Sequence, residues 1–301
     1  MEWLSAILLT LAIIEAIVLA IRRPRSVRLP SSSASVLLHF SKIWLAGPLS
    51  SFFQNHFLGV LFFSKLLGLA WPYRALTVPM TEWWAWPLLF FATDFLYYCE
   101  HRFKHSRRFF WANHAVHHSS RVMNLGEAYR LGWTGWLSTN VFFFIPLVFA
   151  GFRPADVFWM LMIQQVYQLL THLDWVPKLG VLEIFFVTPS GHRVHHGTNP
   201  KYLNHNFGGV FIIFDRVFGT YVEETEPVRY GLVEPFESVN PILILLCGWR
   251  DLFVNSRRVF GASGLRATIA YAFGPLHNEA SPVPETDSTV IPGSEEPRQV
   301  S

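Results

Sequence analysis

Long apolar runs constrain this chain of 301 residues more than any other feature in it. Residues 3–21 form the first run, broken only by Glu15, and are long enough to cross a bilayer as one helix. Residues 52–71 form the second, with His56 and Lys65 as its polar exceptions. Residues 83–98 form a shorter third run that carries Asp94. Residues 133–149 and 157–171 form the fourth and fifth, close enough together for a helical hairpin. Composition agrees with this reading: 51% of the chain is apolar, 16% aromatic and only 15% charged. A soluble domain carries about a quarter charged residues, so lipid is the simplest solvent for such a chain. That excludes a disordered chain and argues against nucleic acid as a partner, despite the net charge of +3. Cys99 and Cys247 lie too far apart in sequence to form a metal or redox pair motif, which excludes a disulfide scaffold.

Charge orients the runs. Residues 22–50 hold five Lys or Arg and no acid, and residues 101–132 hold six basic residues. The alternate connections, 72–82 and 150–156, hold one each. Basic loops stay on the cytoplasmic side, so residues 101–118 and everything after Thr171 are expected there. The first run is followed, not preceded, by Arg22, Arg23, Arg25 and Arg28, which reads as an anchor and not as a cleaved leader. The expected fold is all-α: a polytopic integral membrane bundle of about four to five spans with a cytoplasmic histidine-rich helical domain. Residues 1–82 are read as membrane anchor and basic loop, and 83–235 as the catalytic domain. Residues 236–275 are an interfacial segment, and 276–301 a Pro-rich acidic tail. Two shorter apolar stretches, 207–218 and 241–252, are expected to dip into the interface or to pack beneath the catalytic part.

Of the 13 histidines, nine fall into a pattern. His101 and His105 are spaced i, i+4 on the helix expected to continue from the third run. His114, His117 and His118 form H-x-x-H-H, and His192, His195 and His196 repeat it. On a helix these spacings share a face, so each triplet is expected to offer three imidazoles to one point. His172 adds a ninth ring at the end of the fifth run, and all nine sit at one membrane face. As cations they would repel, and as neutral rings they need partners; a metal resolves both problems, and imidazole suits iron, zinc and copper. Nine nitrogens exceed what one ion takes, so two ions are the natural count. No H-E-x-x-H zinc motif is present, and a rich ligand set with exchangeable positions fits redox iron and dioxygen better. A metal-transport protein and a haem-binding electron carrier remain alternatives at this point. His39, His56 and His277 read as polar caps, and His205 stays open.

Asp94 precedes His101 by two helical turns on the same face, and its expected role is to brace a liganding histidine. The basic residues Arg102, Lys104, Arg107, Arg108 and Arg121 read as topology signal and anionic-lipid contact, or as a dock for an acidic redox partner. No G-x-G-x-x-G fingerprint occurs, so electrons are expected from an external donor.

At these residues the chain resembles the fatty acid hydroxylase (sterol desaturase) superfamily of membrane di-iron enzymes. Asp94-Phe95-Leu96-Tyr97-Tyr98 leads to His101-x3-His105, then to Trp111-x2-His114-x2-His117-His118-Ser119-Ser120. His172 follows, then Thr188-Pro189-Ser190-Gly191-His192-Arg193-Val194-His195-His196-Gly197. Asn206-Phe207-Gly208-Gly209 and Phe218-Gly219-Thr220-Tyr221 complete the likeness. Asn124-Leu125 and Arg229-Tyr230-Gly231 look closest to alkylglycerol monooxygenases and bacterial sterol-desaturase-like members. The resemblance implies two iron ions held by the nine histidines. It also implies dioxygen-dependent hydroxylation or desaturation of a C–H bond in a sterol, ether lipid, fatty-acyl chain or amino-lipid. The electron donor it implies is a reductase, a ferredoxin-like carrier or a reduced pterin. The expected location is the inner membrane of a bacterium or the endoplasmic reticulum of a eukaryote. The sequence departs from some hydroxylases at Val176, where a second histidine would follow His172.

Overall fold

The computed structural model describes Thr10, Ile14, Glu15 and Val18, then residues 65–128, 130–132, 140–234 and 236–276. The first expected run lies almost wholly outside the described residues, and the second is described only from Lys65 onward. The described residues are helical, with isolated backbone bridges and no strand among them.

Helix α1, Ala85–Ser106, contains the third expected run and continues beyond it without a break. At 1.5 Å per residue its 22 residues extend about 33 Å. Its first half buries Ala85 and Leu89, and its second half buries Glu100, His101, Lys104 and His105. Arg107 then takes an extended conformation (φ −130°, ψ 129°) and redirects the chain into α2, Arg108–His118. A short α3, Leu125–Ala128, follows. Helix α4, Asn140–Phe149, and helix α5, Pro154–Leu170, pack against each other as the expected hairpin. The turn between them needs glycine: Gly151 has φ +104°, and a Cβ there would lie 2.4 Å from the Leu76 carbonyl oxygen. Pro154 starts α5 where its missing N–H costs nothing. Thr188 caps α6, Pro189–His195, by accepting from the Gly191 N–H, again with proline at the first helical position. Helix α7 is Ile213–Val217. Helix α8 is Pro241–Phe273, capped by Asn240, with two helical segments meeting at Gly264 (φ 77°).

Among the described residues, no helix is long and apolar enough to cross a membrane. The reason is visible in the three helices that contain the third, fourth and fifth expected runs. Helix α1 carries Asp94, Glu100, Arg102 and Lys104, α4 has ten residues, and α5 has 17 with three glutamines.

Two apolar clusters position the rest. Leu89 from α1 packs with Val141, Phe144 and Val148 from α4 and with Val157 and Met160 from α5. Ala115 and Val116 from α2 pack with Ile244, Leu245 and Cys247 from α8. Gly248 permits that close approach, since a Cβ there would lie 2.4 Å from the Ala112 carbonyl oxygen. A third cluster places Phe207 and Phe214 against Tyr98 and Phe95 of α1. Residues 207–218 thus pack beneath the histidine-bearing half of α1, one of the two expected outcomes. The stretch expected at 241–252 is the start of the longer α8, lying on α2.

Candidate metal centre

Helix α1 supplies His101 and His105, and α2 supplies His114, His117 and His118. His172 follows α5; His192 and His195 belong to α6, and His196 caps it. These nine rings converge as two sets. His101, His105, His114, His118 and His195 form one, and His117, His172, His192 and His196 the other, with ligand atoms in each set within 4.8 Å of one another. The sets are neighbours: the rings of His118 and His196, one from each, stack with centroids 4.3 Å apart.

The expectation that each triplet addresses a single point is corrected here. His114 and His118 go to one set while His117 goes to the other, and His192 and His196 go together while His195 crosses over. Helix geometry explains the division. Residues i and i+4 differ by about 40° around the axis, whereas i+3 and i+4 diverge by about 100°. Each triplet therefore serves two points as two plus one.

Carbonyl groups fix which nitrogen of four rings faces inward. Nδ1–H of His101 donates to the Phe207 carbonyl at 2.9 Å, and that of His117 to Arg130 at 3.2 Å. Nδ1–H of His172 donates to Gln168 at 2.9 Å, and that of His195 to His205 at 3.1 Å. A carbonyl only accepts, so each of these neutral rings carries its lone pair on Nε2. His117 and His172 consequently face each other lone pair to lone pair, with Nε2 atoms 3.3 Å apart. The Nε2 of His195 is buried with no hydrogen-bond partner. Protonation is not the remedy, because burial, the largest cause, pushes eight of these rings below the ordinary imidazole value. His172 and His195 are lowered to about 4.

A metal ion fits this arrangement. Nitrogens about 2.0 Å from a common ion stand about 3.3 Å apart at tetrahedral angles. The Nε2 atoms of His117–His172, His172–His192 and His192–His196 are 3.3, 3.2 and 3.2 Å apart. An all-nitrogen, neutral donor set suits iron, copper or zinc over calcium or magnesium.

Asp94 does not brace a histidine directly. Two turns of helix, about 10 Å, separate it from His101 along α1. Its carboxylate instead accepts from the Val210 and Phe211 N–H groups at 2.9 and 2.8 Å. Asp215 accepts from Phe207 N–H and Gly208 N–H, both at 2.7 Å, and from the Thr220 hydroxyl. The two aspartates thus clamp the loop whose Phe207 carbonyl orients His101. Sequence reading missed Asp215; its nearness to the Asn206-Phe207-Gly208-Gly209 signature was the available signal. Gly208 is required, since a Cβ there would lie 2.6 Å from the Phe211 carbonyl oxygen.

The other carbonyls are braced as well. Asn206, in the left-handed region (φ 57°), donates its side-chain N–H to Gly191 and Val222 and accepts from Val222 N–H. That holds the turn carrying the His205 carbonyl. Arg130 is fully buried, paired with Glu127, and donates to the Ser119 hydroxyl. Between His192 and His195, Arg193 grips Glu224 and the carbonyls of Asp174 and Val176, tying α6 to the segment after His172. His205 itself stands outside both sets and contributes its backbone.

Residues 86–220 match the family described as fatty acid hydroxylase. Alkylglycerol monooxygenase from Danio rerio is 42% identical over 164 residues, covering 54% of this chain and 36% of that protein. The Homo sapiens alkylglycerol monooxygenase is 39% identical over 177 residues, covering 57% and 38%. Ornithine lipid hydroxylase OlsE from Rhizobium tropici is 30% identical over 149 residues, covering 47% and 45%. The chain thus spans less than half the length of these relatives. No solved structure matches it.

Proposed function

We propose, from the match of residues 86–220 to the fatty acid hydroxylase family, that this protein is a membrane oxidoreductase that uses iron and dioxygen to hydroxylate a C–H bond of a lipid. The observation that carries the proposal is the convergence of nine buried imidazoles into two adjoining nitrogen sets, with the Nε2 lone pairs of His117 and His172 turned on each other. His101, His105, His114, His118 and His195 would hold one iron, and His117, His172, His192 and His196 the other. Bound there, the two ions supply dioxygen activation and the electron transfer that side chains alone do not perform.

The chain's own residues do the rest. Phe207, Arg130, Gln168 and His205 carbonyls hold four rings with Nδ1 outward and Nε2 inward, so the ligand set is organised before any ion arrives. Asp94 acts as a positioning residue through the loop it clamps. The exposed apolar side chains of α1, α4 and α5, among them Leu88, Phe91, Phe142, Trp159 and Ile163, would meet the lipid.

The remaining assignments belong to the same proposal. Four to five spans, including residues 3–21 and 52–71, carry the domain with its histidines on the cytoplasmic side. Residues 1–82, 83–235, 236–275 and 276–301 are then anchor, catalytic domain, interfacial segment and tail. Electrons come from an external protein or small reductant that docks against Arg102, Arg107, Arg108 and Arg121. A metal-transport reading would require ligands strung along a path, whereas these nine converge.

The test is a comparison of lipid extracts from cells expressing this protein or its His117→Ala variant. A lipid gaining about 16 mass units, one oxygen atom, only with the unaltered protein supports hydroxylation; a loss of about two indicates desaturation. Identical lipid profiles, with both proteins present and dioxygen supplied along with a lipid panel and reductant, would reject the reading.

A further inference from the structure

Glu15, the acid that breaks the first apolar run, is turned into the protein. It is helical and 8% exposed, whereas its apolar neighbours Ile14 and Val18 are 51% and 42% exposed. A carboxylate is costly to bury in apolar surroundings, so one that is buried is expected to meet specific donors. Glu15 meets two, one on each oxygen. Oε2 accepts from the Leu125 backbone N–H at 2.7 Å, and Oε1 accepts from the Trp175 indole N–H at 3.1 Å.

These two donors sit on the segments that bring His117 and His172 together. Leu125 opens α3, where Glu127 pairs with the Arg130 side chain and its carbonyl accepts from the Arg130 N–H. The Arg130 carbonyl in turn orients His117. Trp175 lies three residues beyond His172, between Asp174 and Val176, whose carbonyls are held by Arg193 of α6. Leu125 also packs on Leu169 and Leu173, so the two segments already touch through apolar side chains. Between them the Nε2 lone pairs of His117 and His172 face each other at 3.3 Å. Neutral rings so placed repel, and the chain around them has to hold them there until an ion is shared.

We propose that Glu15 is a positioning residue of the metal centre. It fastens the first apolar run across α3 and the segment after His172, and so holds His117 and His172 at the separation that retains an ion. The run is then part of the support of the four-histidine set as well as an anchor. A carboxylate is required, because both partners donate. An amide accepts through its one oxygen and turns its own N–H groups toward the other donor, leaving buried groups unpaired. This rests on the metal-holding part of the hydroxylase reading and extends it to a residue outside the matched domain.

The test follows ion loss from the full-length, iron-loaded protein in detergent micelles after a chelator is added, with no substrate present. Glu15→Gln is expected to release one of its two ions about tenfold faster than unaltered protein, the scale on which groups that brace metal ligands act. The other ion is expected to leave at its unaltered rate, which a general loosening of the fold would not spare. Glu15→Gln/Trp175→Phe removes the opposed donor and is expected to restore release toward the unaltered rate. Added to His192→Ala, which lacks the four-ring ion, Glu15→Gln is expected to change nothing. Trp175→Phe alone takes away one of the two donors and is expected to give a smaller acceleration, should Glu15→Gln fold poorly. Unchanged release in whichever single variant folds, equal acceleration of both ions, or no recovery in the double variant would overturn the proposal. Release is scored without turnover, so protein that behaves as expected yet hydroxylates nothing rejects only the hydroxylase reading. Turnover with release untouched by Glu15→Gln rejects only this proposal, and unaltered protein that holds no ion rejects both.

Discussion

Stripped of metal, the protein is expected to unfold as pH falls from 7 to 5. The histidines ionise near 6.5 in an unfolded chain and are held below that value when folded, His172 and His195 to about 4. A group with a depressed folded pKa leaves the unfolded state binding more protons between the two values, so stability falls with pH across that window. From pH 7 to pH 5 the loss is about 2 kcal/mol for each of His172 and His195. The two together lose about 4 kcal/mol, a large share of the roughly 5–15 kcal/mol that stabilises a whole domain, and the other rings held below the ordinary value act in the same direction. Asp215 acts in the opposite direction. Burial pushes its carboxyl up to about 6, so proton uptake by the folded state offsets about 1 kcal/mol. The histidines dominate. Metal occupies the same Nε2 lone pairs that protons would, so loaded protein is expected to hold its fold to a lower pH than stripped protein. Circular dichroism across a pH titration of both forms checks this. A stripped protein equally folded at pH 7 and pH 5 would show that the rings are not buried as neutral bases.

The second large effect separates the two nitrogen sets. His192→Ala leaves the four-ring set with three members and removes an Nε2 that lies 3.2 Å from both His172 and His196. The variant is expected to lose about one of two metal ions per chain and more than about 99% of turnover, since paired ions act on one reaction. His105→Ala leaves four nitrogens in the five-ring set, a number that still encloses an ion. It is expected to keep most of its metal while losing part of its activity. Metal analysis of the two purified variants reads the difference. Equal metal content in both would contradict the division into five and four.

All nine clustered histidines were legible in the sequence, because i, i+3 and i+4 spacing is a property of the helix itself. Their division between two points was not. It depends on how α2 and α6 are turned toward each other, a tertiary fact that spacing alone leaves undetermined. The partner of Asp94 was out of reach for the same reason: residues 210 and 211 follow it by more than a hundred positions. The carbonyls that orient His101, His117, His172 and His195 belong to Phe207, Arg130, Gln168 and His205, and every residue type carries such a group. Nothing in the letters marks them. Glu15 was visible as an acid in an apolar run, yet its two donors, Leu125 and Trp175, lie more than a hundred positions away. Helix α8 outran its apolar start at 241–252; beyond Cys247 it stays against α2 through Trp249 and Phe273, which both meet the Phe109 ring.

The account turns on two metal ions in the two nitrogen sets. Elemental analysis and Mössbauer spectroscopy of the purified protein, grown with iron-57, test it most directly. The expected result is about two irons per chain in nitrogen-rich coordination, with no Soret band, both lost together with activity on chelation. Zinc in place of iron, a haem spectrum, or protein active while holding less than about one ion per chain would contradict it.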